Sequence, residues 1–227
     1  MKVLVLAAHP DDETLGCGGT IIKHKSKGDI IKVVIVTDGY MKDYNDEIYR
    51  KTKREHAQES CNILGVDEVQ FLGYDGARLD LVSKSKLNGH ISEIVAKYEP
   101  DIVYTHHWGD LNTDHHSVFE AAMVACRPHH FNQKKVQKIL TYEVLSSSEW
   151  SGQVGENFFT PTFYNVLVKE MVDKKIKAFK CYETEQCIYP HPRSIESVEN
   201  LAKHRGFNIN TEYAEAFAIV REIEELK

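Results

Sequence analysis

Long hydrophobic runs, paired cysteines, low-complexity stretches and an excess of basic charge are all missing from this 227-residue chain. No segment approaches the roughly 20 consecutive apolar residues that a membrane-spanning helix needs. The apolar run at the start covers only a few residues before His9, too short for the core of a secretory leader. The five cysteines, Cys17, Cys61, Cys126, Cys181 and Cys187, form no CxxC pair. Their odd number suggests reduced, mostly buried thiols and a cytoplasmic setting rather than a disulfide framework. With a net charge of -6 and a pI near 6.1, no basic surface for nucleic acid or anionic lipid is expected. The Lys134-Lys135 and Lys174-Lys175 pairs are too short to change that, and His129-His130 reads as surface. Without a Pro-rich linker or an internal repeat, and with 42% hydrophobic residues, residues 1–227 are expected to form a single domain around one large core.

What is present is an alternation of strand-like and helix-like segments. Lys2 to Ala7 reads as a strand buried on both faces, followed by a helix from Glu13 to Lys27 that Gly28 stops. Ile31 to Thr37 is the second strand, and Glu47 to Leu64, ending at Gly65, is the second helix. Val69 to Leu72, Ser83 to Tyr98, Ile102 to Thr105 and a helix from Asp114 to Cys126 continue the pattern, with Gly73 to Leu81 as a loop. Four βα units in succession predict an α/β protein, a three-layer α/β/α Rossmann-like fold on a mostly parallel sheet. The last third is harder to read. It suggests strands at Lys138 to Val144, Tyr164 to Val168 and Phe217 to Val220, helices at Val172 to Thr184 and Ser194 to His204, and a long loop from Leu145 to Thr162. Loops of that length inside a domain are commonly functional, and Trp150 is placed there to stack on a ring or to pack.

The first strand delivers His9-Pro10-Asp11-Asp12-Glu13 to the C-terminal edge of the sheet, where open α/β sheets bind ligands. Charges in such a place must be solvated, paired or bound to a metal. His9 and Asp12, three apart on a turn entering a helix, can face one point with a nitrogen and an oxygen ligand of the kind zinc accepts. Asp11 faces elsewhere and is free to act as a general base on water. Helix capping is the plainer use of three acids in a first turn, but it does not account for His9.

The fourth strand delivers a second such stretch, His106 to His116. His115 lies three, four and seven residues before Val118, Phe119 and Ala122, the apolar stripe of its helix, and therefore faces the core. His116 aligns with Glu120 and Met123 and points to solvent or to the rim. His115 would complete a two-histidine, one-carboxylate set with a fourth position open, with His106 or His107 as competitors for that place. Asp114 is placed to hydrogen-bond a histidine ring or the base. Further on, two prolines around His191 make a stiff turn that can present His191 and Arg193 to the site.

The Ala8-His9-Pro10-Asp11-Asp12-Glu13 turn, the Thr37-Asp38-Gly39 exit and the Asn112-Thr113-Asp114-His115 segment together resemble the LmbE/PIG-L superfamily of zinc-dependent N-acetylglucosamine deacetylases. Phe159-Thr160-Pro161, Pro190 to Ser194 and Tyr213 to Phe217 resemble bacterial members acting on glycan-type sugars. The resemblance implies one Zn2+ per chain on His9, Asp12 and His115, Asp11 as general base, and a small N-acetylated sugar or glycoconjugate as substrate. A homo-oligomer is compatible with it. Many members carry a histidine where this chain has Asn112, so oxyanion stabilisation would pass to the metal, Asn112 and a further donor. The substrate-contacting arginine of the second helix matches Lys53 or Arg54, and Arg54 is favoured for its forked guanidinium.

Other chemistries make different demands. A metal-dependent phosphoesterase would usually want a second metal site. Gly16-Cys17-Gly18-Gly19 does not have dinucleotide-binding spacing, and the acidic turn before it would repel a pyrophosphate. A non-catalytic carbohydrate-binding protein would purify without metal.

Overall fold

Alternating β-branched and leucine residues let the first strand, β1 (Lys2–Ala7), bury both of its faces. Val3, Val5 and Ala7 join one apolar cluster, and Leu4 and Leu6 join another on the opposite side of the sheet. The computed structural model describes residues 1–40, 43, 45–128, 134–152 and 154–224, so His129 and His130 lie outside the described residues. After β1 come α1 (Asp12–Ser26), β2 (Ile30–Thr37), α2 (Glu47–Leu64), β3 (Glu68–Tyr74), α3 (Lys84–Tyr98), β4 (Ile102–His106) and α4 (Thr113–Ala125). The remainder contributes β5 (Lys138–Tyr142), β6 (Phe163–Leu167), α5 (Lys169–Phe179), α6 (Ile195–Phe207) and β7 (Tyr213–Glu222).

The strands form one seven-stranded sheet in the order β3-β2-β1-β4-β5-β7-β6. Neighbours among β1 to β5 pair in parallel, and β7 runs antiparallel to both β5 and β6. This is the expected mostly parallel α/β architecture, with α1, α2 and α5 packed on one face and α3 and α4 on the other. Strand order reverses between β1 and β4, so the crevice beyond their C-terminal ends is the place where a ligand site is built. No described helix is long and apolar enough to cross a membrane.

Helix ends follow ordinary chemistry where no site interferes. The Asp46 side chain accepts from Tyr49 N at 2.9 Å to start α2, and Gly65 ends it at φ 88°, a left-handed position that suits glycine. Gly16 has a packing reason instead, because a Cβ there would collide with the buried Tyr142 ring.

Several boundaries differ from the sequence reading, three of them near the cleft or in the sheet that frames it. The helix expected to run to Thr184 stops at Phe179, and turns then carry Thr184 and Glu185 to the edge of the sheet. The strand expected at Phe217 to Val220 runs over ten residues, Tyr213–Glu222, because β7 is covered on both sides by β5 and β6. Part of the expected loop from Gly73 to Leu81 is strand, with a 3-10 turn at Leu79–Leu81.

Candidate active site

Asp11 starts α1 at φ 122° and ψ -26°, a conformation that non-glycine residues rarely adopt. Such backbone typically costs about 1–3 kcal/mol and persists where its surroundings impose it. Its carbonyl accepts from Leu15 N at 2.9 Å, but its side chain makes no cap hydrogen bond. Simple capping therefore does not describe this turn. Glu13, fully buried, steadies it by accepting from Asp11 N at 3.2 Å and from the Thr14 and Tyr182 hydroxyls at 2.5 Å each.

β1 and α4 bring His9, Asp12 and His115 together, with one ligand atom of each within 4.8 Å of the others. His9 Nδ1 lies 3.2 Å from Asp12 Oδ2, His115 Nε2 lies 3.4 Å from the same oxygen, and the two nitrogens are 3.2 Å apart. For bond lengths of about 2.0–2.1 Å, the edge of a tetrahedron around zinc is about 3.3 Å. Asp12 Oδ1 is buried and has no hydrogen-bond partner, a costly state that a cation would relieve. The donor set thus fits a zinc-type ion. Among the described residues it is the one group of three or more such side chains arranged this way.

Each ring turns its other nitrogen to a carboxylate. His9 Nε2 is 3.0 Å from Asp114 Oδ2, and His115 Nδ1 is 3.2 Å from Asp110 Oδ2. Asp114, as expected, meets a histidine, and it is fixed in turn by Ala77 N at 2.5 Å and Leu79 N at 3.1 Å. Asp110 has no counterpart among the sequence expectations. The Ser147 and Ser148 hydroxyls, the latter at 2.7 Å, donate to it, as does Asn112 N at 3.0 Å. The signal was in the sequence, as an acid five residues before His115 and a Ser146-Ser147-Ser148 run after β5, but the pairing needs the fold.

The competing histidines are engaged otherwise. His106 Nε2 accepts from Ala8 N at 2.8 Å and its ring stacks on that of His115 at 3.8 Å. Burial, with the His115 charge beside it, holds His106 well below the usual imidazole range, so it is neutral. His107 Nε2 donates to Asn157 O at 3.1 Å. His116 Nε2 donates to Asp110 O and is half-buried rather than open to solvent.

Beside the triad a cleft of roughly 300 Å³ opens, lined by His9, Asp11, Lys53, Asn112, Glu185 and Arg193 among others. Asp11 Oδ2 lies 3.1 Å from Arg193 Nη1, which also reaches Glu185 Oε2 at 3.0 Å. Burial pushes the Asp11 carboxyl up to about 8 even though Arg193 pulls it down. Asn112 accepts from Asp114 N at 2.9 Å through its side-chain oxygen, so its NH2 is what it has left to offer a ligand.

Two residues expected to contact substrate stand outside the lining of this cleft. Arg54 does not line the cleft; its Nε and Nη2 donate to Asp38 at 2.7 and 2.9 Å, and Arg50 reaches the same carboxylate. Lys53, one residue earlier and 4% exposed, faces the cleft instead and pairs with Glu185. His191 also stays outside it. Its Nδ1 accepts from Arg193 N at 3.0 Å and its ring meets the half-exposed Trp150 edge-on, so it shapes the turn that carries Arg193.

The chain is 29% identical over 187 residues to the uncharacterised deacetylase YaiS of Escherichia coli, covering 80% of this chain and 90% of YaiS. The N,N′-diacetylchitobiose deacetylase of Pyrococcus horikoshii superposes with a TM-score of 0.75 at 23% identity, over 96% of this chain and 83% of the other. A 4-carboxy-2-hydroxymuconate hydratase from Pseudomonas putida superposes as well, with a TM-score of 0.76 at 20% identity over 100% of this chain and 99% of the other. At these identities the likeness shows the fold, and that fold serves more than one reaction. The family model PIG-L, described as GlcNAc-PI de-N-acetylase, matches residues 4–126, more than half of the chain, and the protein belongs to that family of N-deacetylases.

Proposed function

We propose that the protein is a zinc-dependent hydrolase that removes the acetyl group from an N-acetylglucosaminyl-type sugar. The observation that carries the reading is the convergence of His9, Asp12 and His115 with the side chain of Asp11 outside that ligand set and beside it on the cleft. The family description, which names a GlcNAc-linked substrate, supports the sugar class.

His9, Asp12 and His115 would hold the ion, with Asp114 and Asp110 fixing the orientation of the two rings. When bound, the ion supplies Lewis acidity, polarising a carbonyl oxygen and acidifying water. Asp11 takes the proton from the attacking water and, once protonated, returns it to the leaving amine. Its raised pKa suits that exchange, since a base works best with a pKa near the operating pH. Arg193 orients the Asp11 carboxylate from 3.1 Å, and the Asn112 amide donates to the developing oxyanion.

The test is acetate release from N-acetylglucosaminyl sugars before and after chelation. Activity lost with the metal and restored by Zn2+ is expected. Unchanged acetate release from fully chelated protein, or phosphate release from phosphoesters in its place, would overturn the reading.

A further inference from the structure

Four charged side chains of alternating sign stand in a row along one wall of the cleft. Asp11 Oδ2 is 3.1 Å from Arg193 Nη1, Arg193 Nη1 is 3.0 Å from Glu185 Oε2, and Glu185 Oε1 meets Lys53 Nζ. All four line the cleft. Glu185 is the hinge of this row. One of its oxygens takes Arg193 and the other takes Lys53 and the Thr184 hydroxyl at 3.1 Å, so a single carboxylate neutralises both cations of the wall. Lys53 and Arg193 hold Glu185 in its charged form against its burial. Asp11, in the carboxylate form in which it acts as base, lies against Arg193 and balances what remains, and the wall then sums to zero.

A cleft built to hold a phosphate or carboxylate would leave its cations free for the ligand, in forked or clustered donors. Here both cations already have a protein partner. What they can still present are leftover N–H groups, on the Lys53 ammonium and on Arg193 Nη2, which suit hydroxyl and ether oxygens. The exposed Tyr40 and the ring of Tyr49, 5.3 Å from Lys53 Nζ, add uncharged surface to the same opening.

We propose that Glu185 is a specificity-determining residue that keeps the cleft wall neutral, so that the enzyme takes an uncharged N-acetyl sugar and discriminates against one bearing a phosphate or carboxylate near the reacting amide. An anionic substituent entering there must displace Glu185 from Lys53 and Arg193 or sit against its charge. Replacing Glu185 by an amide of the same shape leaves the wall at +1 and opens two cations to such a group. The inference rests on the deacetylase reading only for the reaction used to measure it.

The experiment compares the zinc-loaded wild type with Glu185→Gln, Lys53→Gln and the double variant. Each is given N,N′-diacetylchitobiose as the neutral probe and N-acetylglucosamine 1-phosphate and 6-phosphate as anionic probes. Attraction of phosphate to the metal is common to all four proteins and cancels in the ratio of kcat/KM. Wild type should prefer the neutral sugar. In E185Q that preference should fall about tenfold, through the KM of the anionic sugars, as one unit charge several ångströms away across a partly solvated gap can do. The shift should shrink as ionic strength rises. K53Q should move the ratio the other way, and the neutral double variant should return to within about threefold of wild type, by the same charge count. The double variant also guards against loss of folding through an unpaired Lys53. A ratio that is the same in all four proteins, a wild type that already prefers phosphorylated sugars, or an E185Q that loses kcat equally on every probe would overturn the assignment. Acetate release from the neutral sugar by wild type reports separately on the deacetylase reading.

Discussion

Asp11 and Asp12 are adjacent acids with opposite circumstances. Asp12 is held well below the usual carboxylate range, because the rings of His115 and His9 outweigh the burial that opposes its charge. Asp11 is pushed up to about 8, because burial outweighs the single guanidinium of Arg193. One therefore suits a ligand and the other a base. Asp11→Asn should lower kcat by about a thousandfold or more, since general-base catalysis contributes 10²–10⁴-fold, while zinc content stays at one per chain. Metal analysis and acetate release on the same sample check both halves. Asp110→Asn should weaken zinc binding by about 10- to 100-fold, as loss of a carboxylate behind a metal-bound imidazole does, measured by chelator competition. That His115 rather than His116 faces the core was readable from the apolar stripe of α4, but His106 and His107 stayed open as competitors until the fold gave them other partners. That Asp110 stands behind His115 was not readable, since Ser147 and Ser148, which hold it, come from a loop with no periodicity.

At the scale of elements, α2 decides which side chain reaches the cleft. Asp38, at the end of β2 and fully buried, binds Arg50 and Arg54 on successive turns of α2. That anchor rotates Arg54 away from the cleft and Lys53 into it. A sequence match ambiguous by one residue could not choose between them, because one step on a helix is a turn of about 100°. Arg54→Ala should therefore change KM by less than about threefold, because Arg54 stands outside the cleft and Arg50 keeps Asp38 paired, whereas Lys53→Met should raise KM by about tenfold through loss of a buried charged donor. Steady-state kinetics on the two variants decides. Similarly, α5 ends before Thr184 because Glu185 is drawn to Lys53 and Arg193, a long-range pairing that helical periodicity does not report. By contrast, β1, α2 and β4 were legible almost to the residue. Their buried faces repeat at strand or helix period, and their ends carry capping or stop residues. α1 carries a tighter constraint, and Gly16→Ala should destabilise the protein by about 1–3 kcal/mol through overpacking against Tyr142, read from chemical denaturation.

Across the whole molecule, the reversal of strand order between β1 and β4 brings residues about a hundred positions apart to one crevice, and the pH dependence of stability should reveal what is stored there. Without metal, burial opposes the charge on His9, but Asp12 and Asp114 outweigh it and raise its pKa to about 10. A folded value above the unfolded one of about 6.5 adds stability at low pH that is lost as pH rises through 10. Asp11, raised to about 8, acts in the same direction. Chelated protein should therefore lose thermal stability between about pH 6.5 and 10, while the extra stability conferred by Zn2+ grows over the same range, because the ion competes with protons for His9 and His115. Thermal melts of chelated and zinc-loaded protein across that range test the pair of trends. A zinc increment that shrinks with rising pH would count against these ligands.

The most direct measurement is zinc content and acetate release, made together on wild type, Asp12→Ala, His115→Ala and Asp11→Asn. The expected result is one zinc and turnover in wild type, neither zinc nor turnover in the Asp12 and His115 variants, and zinc without turnover in the Asp11 variant. Full zinc occupancy in Asp12→Ala or His115→Ala, or undiminished turnover in Asp11→Asn, would contradict it.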